Sequence, residues 1–205
     1  MKKCLIVIIS FLCAGEMFSQ KDSYFPQVFF DKKQAESQLG YGKSTIEGVA
    51  FTREKRNVPL TLGMVKAKMG KKHVARPNTV IMLFPVTEYF TEFYNLRRKI
   101  ESSKKQVLMS KEAFAVRREA YTDDYGRFKF ENLKVGKYYI ETIVDFTAVG
   151  SYKKQTGTST AYNVYGTPLY STPIYETFFY DYEDSHRESK FVEVKKDGQV
   201  IEIKL

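Results

Sequence analysis

Thr122-Asp123-Asp124-Tyr125-Gly126-Arg127-Phe128-Lys129-Phe130-Glu131-Asn132-Leu133-Lys134-Val135-Gly136-Lys137-Tyr138-Tyr139-Ile140 is the stretch on which the reading of the fold turns. Asp123 to Gly126 make a turn, because aspartate and glycine accept the backbone angles of a tight reversal. Arg127 to Phe130 alternate strictly, which puts Phe128 and Phe130 on one face of a strand. Leu133 extends the apolar set, Gly136 reverses the chain again, and Tyr138 opens a return strand. In that strand Ile140, Thr142, Val144 and Phe146 share one face, with Glu141 and Asp145 on the other.

The same two-residue period extends outward. Thr45 to Thr52 predicts a first strand, with Gly48 at its centre. Arg53 to Arg76 is basic, with a short strand expected at Val58 to Val65. Thr79 to Phe84 is a continuous apolar run, as in a central strand buried on both faces, and Pro85 closes it. Ala113 to Thr122 predicts a further strand. Phe191 to Lys195 and Val200 to Leu205 flank Asp197-Gly198, a strong hairpin signal.

Three segments break the pattern. Asp31, with Gln34 three residues on, has the spacing of a capping box, so residues 21–43 predict a short helical lead-in ended by Gly40 and Gly42. Tyr89, Phe93, Leu96 and Ile100 form one stripe of an amphipathic helix over about 88–105, capped by Thr87. Arg97, Arg98, Lys99, Lys104 and Lys105 crowd its far end, where the helix dipole favours cations. Residues 150–182 are rich in Thr, Ser and Tyr and predict a long loop, of the kind that carries function or stays disordered.

Several short strands separated by turn signals make this an all-β sandwich. The quoted stretch resembles the carboxypeptidase regulatory-like family: threonine-aspartate, a turn glycine, aromatic-x-phenylalanine, leucine, glycine, then tyrosine. Asp123, Gly126, Phe128, Phe130, Leu133, Gly136 and Tyr138 carry the likeness, and Gly48 matches the glycine of the family's opening strand. Val80 to Pro85 resembles the strand that follows. The resemblance implies a seven-stranded Greek-key sandwich like that of transthyretin, over roughly 44–205, with insertions at 88–112 and 150–182. It implies no peptidase activity, because in the enzymes that named the family a separate domain does that chemistry.

Lys2, Lys3 and the apolar run Cys4 to Ala14 form the pattern of a secretory signal peptide over residues 1–20, too short to cross a membrane. Cys13 follows Leu12, which departs from the small residue expected before a lipidated cysteine. Cleavage near Gln20 removes both cysteines, and with them any disulfide, thiolate nucleophile or cysteine-ligated metal. The net charge then falls from +9 to +8.

Little in the remainder predicts catalysis. His73 and His186 are the only histidines, and neither sits in a zinc-protease array. No Gly-x-Ser-x-Gly elbow and no phosphate-binding glycine loop occurs. A carboxylate pair for glycoside cleavage needs only proximity in space, and nothing singles out a pair. Asp181 to His186 is an acidic cluster with the residue types of a cation site, and equally those of a solvated loop. No catalytic residue, metal ligand or cofactor is expected. The expectation is an exported, non-catalytic module for binding or scaffolding at the cell envelope, in the periplasm or at the cell surface. The alternatives are a hydrolase acting on carbohydrate or peptide, and a structural subunit of an envelope assembly. Tyr162, Tyr165, Tyr170 and Tyr175 are the candidate binding surface, since tyrosine offers stacking area with a polar tip; packing on the sandwich explains them as well. The basic clusters Lys66–Arg76, Arg97–Lys105 and Arg117-Arg118 suit an envelope glycan, an anionic lipid surface or an acidic protein better than nucleic acid, or simply keep the surface soluble.

Overall fold

The computed structural model describes residues 21–57 and 64–205. The predicted signal peptide with its two cysteines, and most of the strand expected at Val58 to Val65, lie outside the described residues; Met64 and Val65 belong to no strand. The elements, in chain order, are β1 (Asp22–Tyr24), α1 (Lys32–Gln38), β2 (Tyr41–Val49), β3 (Phe51–Asn57), β4 (Lys66–Val74), β5 (Val80–Pro85), α2 (Glu88–Ile100), β6 (Lys105–Val107), α3 (Lys111–Ala115), β7 (Arg118–Tyr121), β8 (Arg127–Leu133), β9 (Gly136–Tyr162), β10 (Pro168–Val194) and β11 (Val200–Lys204). None of the described helices is long and apolar enough to cross a membrane.

The molecule is an all-β sandwich. One sheet has the strand order β10-β9-β5-β7 and the other β11-β2-β8, with smaller pairs β3-β4 and β1-β6 beside them. The two sheets share one core. Ile46, Phe128, Phe130, Leu133 and Ile203 from the smaller sheet meet Ile81, Leu83, Ile140, Val144 and Val194 from the larger. Both rings of the quoted stretch lie in that core, their centroids 6.0 Å apart.

The turn before them forms as its residues require. Asp123 Oδ1 accepts from the amides of Tyr125 and Arg127, both at 2.8 Å, and Gly126 takes φ +70°. A side chain at Gly126 would run into Val74 Cγ1 and lie 2.9 Å from the Ala50 carbonyl. Gly48 is needed for a different reason: β11 crosses it so closely that a Cβ would meet the Ile203 carbonyl. Tyr138 is fully buried, and its hydroxyl donates to the Lys134 carbonyl at 2.8 Å, which closes the reversal around Gly136. Burial raises the pKa of that hydroxyl.

A helical layer covers the outer face of the larger sheet. Thr87 caps α2 by accepting from the Phe90 amide, and Phe90 and Phe93 close over Phe84 and Tyr139. Asp31 caps α1 by accepting from the Gln34 amide at 3.0 Å.

Four expectations are corrected. The helix expected over 88–105 stops at Ile100, because Glu101 turns extended, and Lys105 joins β6 beside β1. The strand expected at Ala113 begins only at Arg118, since Ser110 caps a short helix there by accepting from the Ala113 amide. Asp197-Gly198 does make a turn, with Gly198 at φ +76°, but not a hairpin. The chain crosses the core at that point, and β11 pairs in parallel with β2, Val200 opposite Thr45. The crossing sets Val194 and Ile203 into one core from opposite sheets. Finally, residues 150–182 are not a loop. They form the distal part of the β9-β10 hairpin, whose strands run 27 residues each and turn over at Asn163–Thr167. The Thr, Ser and Tyr that suggest a loop by polarity are good strand formers by shape.

Candidate binding ribbon

Beyond the sandwich the β9-β10 hairpin runs on as a two-stranded ribbon. β5 accompanies β9 only as far as Thr142. The register places Phe146 opposite Asp184, Ala148 opposite Tyr182, Gly150 opposite Tyr180 and Tyr152 opposite Phe178. By the two-residue period, these residues continue the core face of Val144 out into solvent. Tyr152 stacks on Phe178 at 5.6 Å and 21°, then meets Tyr180 at 6.2 Å, which meets Tyr182 at 6.0 Å. Gly150 makes room for this ladder, since a Cβ there would lie 2.8 Å from the Tyr180 hydroxyl. Tyr152, Tyr180 and Tyr182 remain exposed, at 52%, 50% and 42%, so the ladder presents ring faces on a backbone held by a continuous hydrogen-bonded strand pair.

The root of the ribbon is fixed from both sides. On the outer face, Arg97 of α2 is buried and reaches Glu141 and the Tyr139 hydroxyl on β9. Burial works against the guanidinium charge, but the Glu141 hydrogen bond and charge outweigh it and raise the Arg97 pKa. Tyr139 is pushed well above its ordinary value, first by burial and then by Glu141. Arg187 of β10 joins the network through Glu101 at 2.9 Å.

On the inner face the β3-β4 hairpin crosses the root and brings the two histidines together. His73 stacks on Phe146 at 4.6 Å, and His186 leans on the same ring at 5.0 Å. His73 Nε2 meets Glu54 Oε1 at 2.9 Å, and this hydrogen bond lowers the Glu54 pKa. Thr52 is buried and touches both Glu188 and His186 Nδ1, the latter at 3.0 Å. A hydroxyl has one proton, and only the hydroxyl can supply it to a carboxylate, so Thr52 donates to Glu188 and accepts from Nδ1–H. That tautomer leaves Nε2 as a bare lone pair, buried without a hydrogen-bond partner, 3.4 Å from Asp184 Oδ2. His186 is 4% exposed, and its pKa is lowered first by burial and next by the charge of Lys55.

Each of the four tyrosines singled out from the sequence is exposed: Tyr162 at 61%, Tyr165 at 89%, Tyr170 at 66% and Tyr175 at 57%. They are spread over the distal ribbon and its turn, and among the described residues none contacts another ring. The rings that do meet, Tyr152, Phe178, Tyr180 and Tyr182, lie nearer the root. The signal that finds them is the cross-strand register, which requires knowing that both segments are strands. The acidic cluster Asp181 to His186 is strand as well, and the pleat divides it, with Asp181 and Glu183 facing away from Asp184 and His186. The basic clusters lie on separate elements: Lys66–Arg76 on and after β4, Arg97 buried on α2, and Arg117 paired with Glu119 at 2.5 Å.

No protein-family model matches the chain, and no curated protein matches it. Among solved structures, it is similar to the crystal structure at 2.61 Å of a "putative carbohydrate binding protein" from Pseudomonas aeruginosa, with a TM-score of 0.52 and 17% identity over 87% of this chain and 99% of that one. At that identity the likeness is one of fold.

Proposed function

We propose that this chain is an exported, non-catalytic binding module in which a rigid sandwich carries an aromatic ribbon that holds carbohydrate. The ladder of Tyr152, Phe178, Tyr180 and Tyr182 carries the proposal: adjoining exposed rings on one face, backed by a strand pair, match the apolar faces of successive sugar rings. The description of the Pseudomonas aeruginosa protein supports the same class of ligand. The leader pattern of residues 1–20 supports export to the envelope, and the sequence likeness to the carboxypeptidase regulatory-like family supports a transthyretin-like Greek-key topology. The non-catalytic part of the reading rests on the histidines. His186 is enclosed, and His73 is mostly buried and stacked on Phe146, so neither imidazole stands open to a substrate.

The test is a glycan array probed with the wild-type chain, followed by calorimetry of the best glycan against Tyr180→Ala and Tyr152→Ala. Each variant is expected to lose about tenfold in affinity, the loss of one stacked ring. An array without hits, or binding unchanged in both variants, overturns the reading.

A further inference from the structure

The ring ladder has charged ends. The β9-β10 register is unbroken from Asp184 to Glu176, so the pleat tells which residues share the ladder's face. Beyond Tyr182 that face carries Asp184, and beyond Phe178 it carries Glu176, directly opposite Lys154. Of the strand residues on this face between Phe146 and Glu176, only Lys154 is cationic. The ladder is thus bounded by a carboxylate at each end, in a chain whose net charge is +9.

The Asp184 end lacks a hydrogen. Asp184 Oδ1 accepts from the Ser185 amide at 2.8 Å, while Oδ2 has no donor among the described residues. Oδ2 instead faces His186 Nε2 at 3.4 Å, and the Thr52 contact leaves that nitrogen a lone pair. Two acceptors therefore stand face to face with no proton between them, an arrangement that costs stability until a donor arrives. His186 is enclosed and its Nε2 unpartnered, whereas the Asp184 side chain is 46% exposed, so a donor reaches the pair through the carboxylate. A metal ion is poorly served here. No third His, Cys, Asp or Glu joins the two among the described residues, and the positive charge of Lys55 acts on the same imidazole.

We propose that Asp184 is the polar anchor of the ladder, accepting a hydroxyl hydrogen from a sugar stacked on Tyr182, and that the glycan is a neutral one. This rests on the carbohydrate reading and narrows it. Asp184 lies two residues, about 7 Å, along the strand from Tyr182, a span that a sugar covers with its hydroxyls. The ring takes the sugar's apolar face, and a carboxylate is the strongest acceptor a side chain offers to the hydroxyl at its edge. A uronate or sulfate in the same place would set an anion against Asp184, which selects against acidic glycans. The unpaired acceptors fit this role. Asparagine at position 184 would keep the Ser185 amide on its oxygen and donate its own N–H to Nε2, so it suits the fold better than aspartate does. Aspartate gives up that stability and keeps an anionic acceptor at the end of the rings.

An array that sets neutral cello-, xylo- and malto-oligosaccharides beside polygalacturonate and heparin fragments, probed with the full chain, tests the class of glycan. Calorimetry of the best-bound oligosaccharide then compares the wild type with Asp184→Asn, and with Asp181→Asn as the same change of charge on the opposite face of the strand. Neutral hits are expected. Asp184→Asn is expected to bind about tenfold or more weakly, the loss of a hydrogen bond to a charged group, with a melting temperature equal to or above that of the wild type. Asp181→Asn is expected to bind as the wild type does. Hits confined to the acidic glycans, or an unchanged affinity in Asp184→Asn, overturn this inference, and a loss of binding in Tyr180→Ala then leaves the ladder reading standing. An Asp184→Asn variant that melts lower and binds weaker also overturns it, because Asp184 is then a structural residue. So does binding abolished by a chelator, which places a metal ion at the pair. An array without hits overturns the carbohydrate reading and this inference with it.

Discussion

β9 and β10 are one hairpin with two lives. Near the sandwich, Ile140 and Val144 are wholly buried, Phe146 is 3% exposed, and helix α2 covers the opposite face. A few residues on, with strand pairing continuing along the ribbon, Val149 is 66% exposed and Tyr165 at the tip 89%. β9 and β10 pair with each other in both halves, so that pairing does not account for the difference between them. What differs is whether another layer lies on the faces. The proximal half derives its stability from burial, at about 25 cal/mol per Å² of apolar surface removed from water. The distal half leaves that apolar surface available to a ligand or a partner.

The largest break in this comparison is expected where the outer layer meets the proximal strands. Glu141→Ala leaves buried Arg97 with only the more distant Glu101 carboxylate, 3.8 Å from its Nε, at a cost of about 3 kcal/mol, the low end for breaking a buried pair. Urea unfolding should show the midpoint falling with an unchanged slope. A loss below about 1 kcal/mol would mean that water reaches Arg97 and that the layer is not closed. The ribbon beyond Ser151 should keep its exposure either way, because α2 does not touch it.

A smaller effect marks the boundary between the halves. Facing His186 are Thr52, Lys55 and Lys68 from the crossing hairpin and Asp184 and Glu188 from its own strand, with His73 and Glu54 on the other side of Phe146. Its folded pKa is lowered, so the unfolded chain takes up the proton more readily. The contribution of His186 is therefore complete above the ordinary histidine pKa of about 6.5 and is lost as pH falls through and below it. Denaturation measured at pH 7.5 and 5 should show the decline, and His186→Asn should reduce it. A wild type that gains stability on acidification over this range would contradict the neutral, enclosed imidazole.

The same contrast explains what was legible in the sequence. The proximal strands announce themselves because one face is covered: Phe128 and Phe130, then Ile140, Val144 and Phe146, alternate with polar residues, and alternation is the imprint of a two-sided environment. The caps of α1 and α2 were readable for a similarly local reason, since Asp31 and Thr87 act on amides three residues away. The distal ribbon left no such imprint. With no layer over either face, nothing forces an apolar period, and Gln155 to Ile174 carry only composition. The pairing of β11 with β2 was hidden because it joins distant segments across the core, while the Asp197-Gly198 turn points only to its immediate flanks. Of the candidate surface, the exposed tyrosines were visible as residues. The ring ladder was not, because it depends on which residue of β10 faces Tyr152.

The finest test uses one residue type twice on one strand. Val144 is 0% exposed in the core, and Val149 is 66% exposed five residues later. Val144→Ala removes two buried carbons and leaves a cavity, at a cost of about 2 kcal/mol. Val149→Ala removes the same atoms from solvent and should stay within about 0.5 kcal/mol of the wild type. Both sites are mid-strand, so the change in strand propensity is common to the two variants and drops out of their difference. Val144 faces the core and Val149 the opposite side of the hairpin, so that difference compares a covered face with an uncovered one. If Val149→Ala costs as much as Val144→Ala, a second layer covers the ribbon in solution. A cost that rises with protein concentration would assign that layer to another copy of the chain.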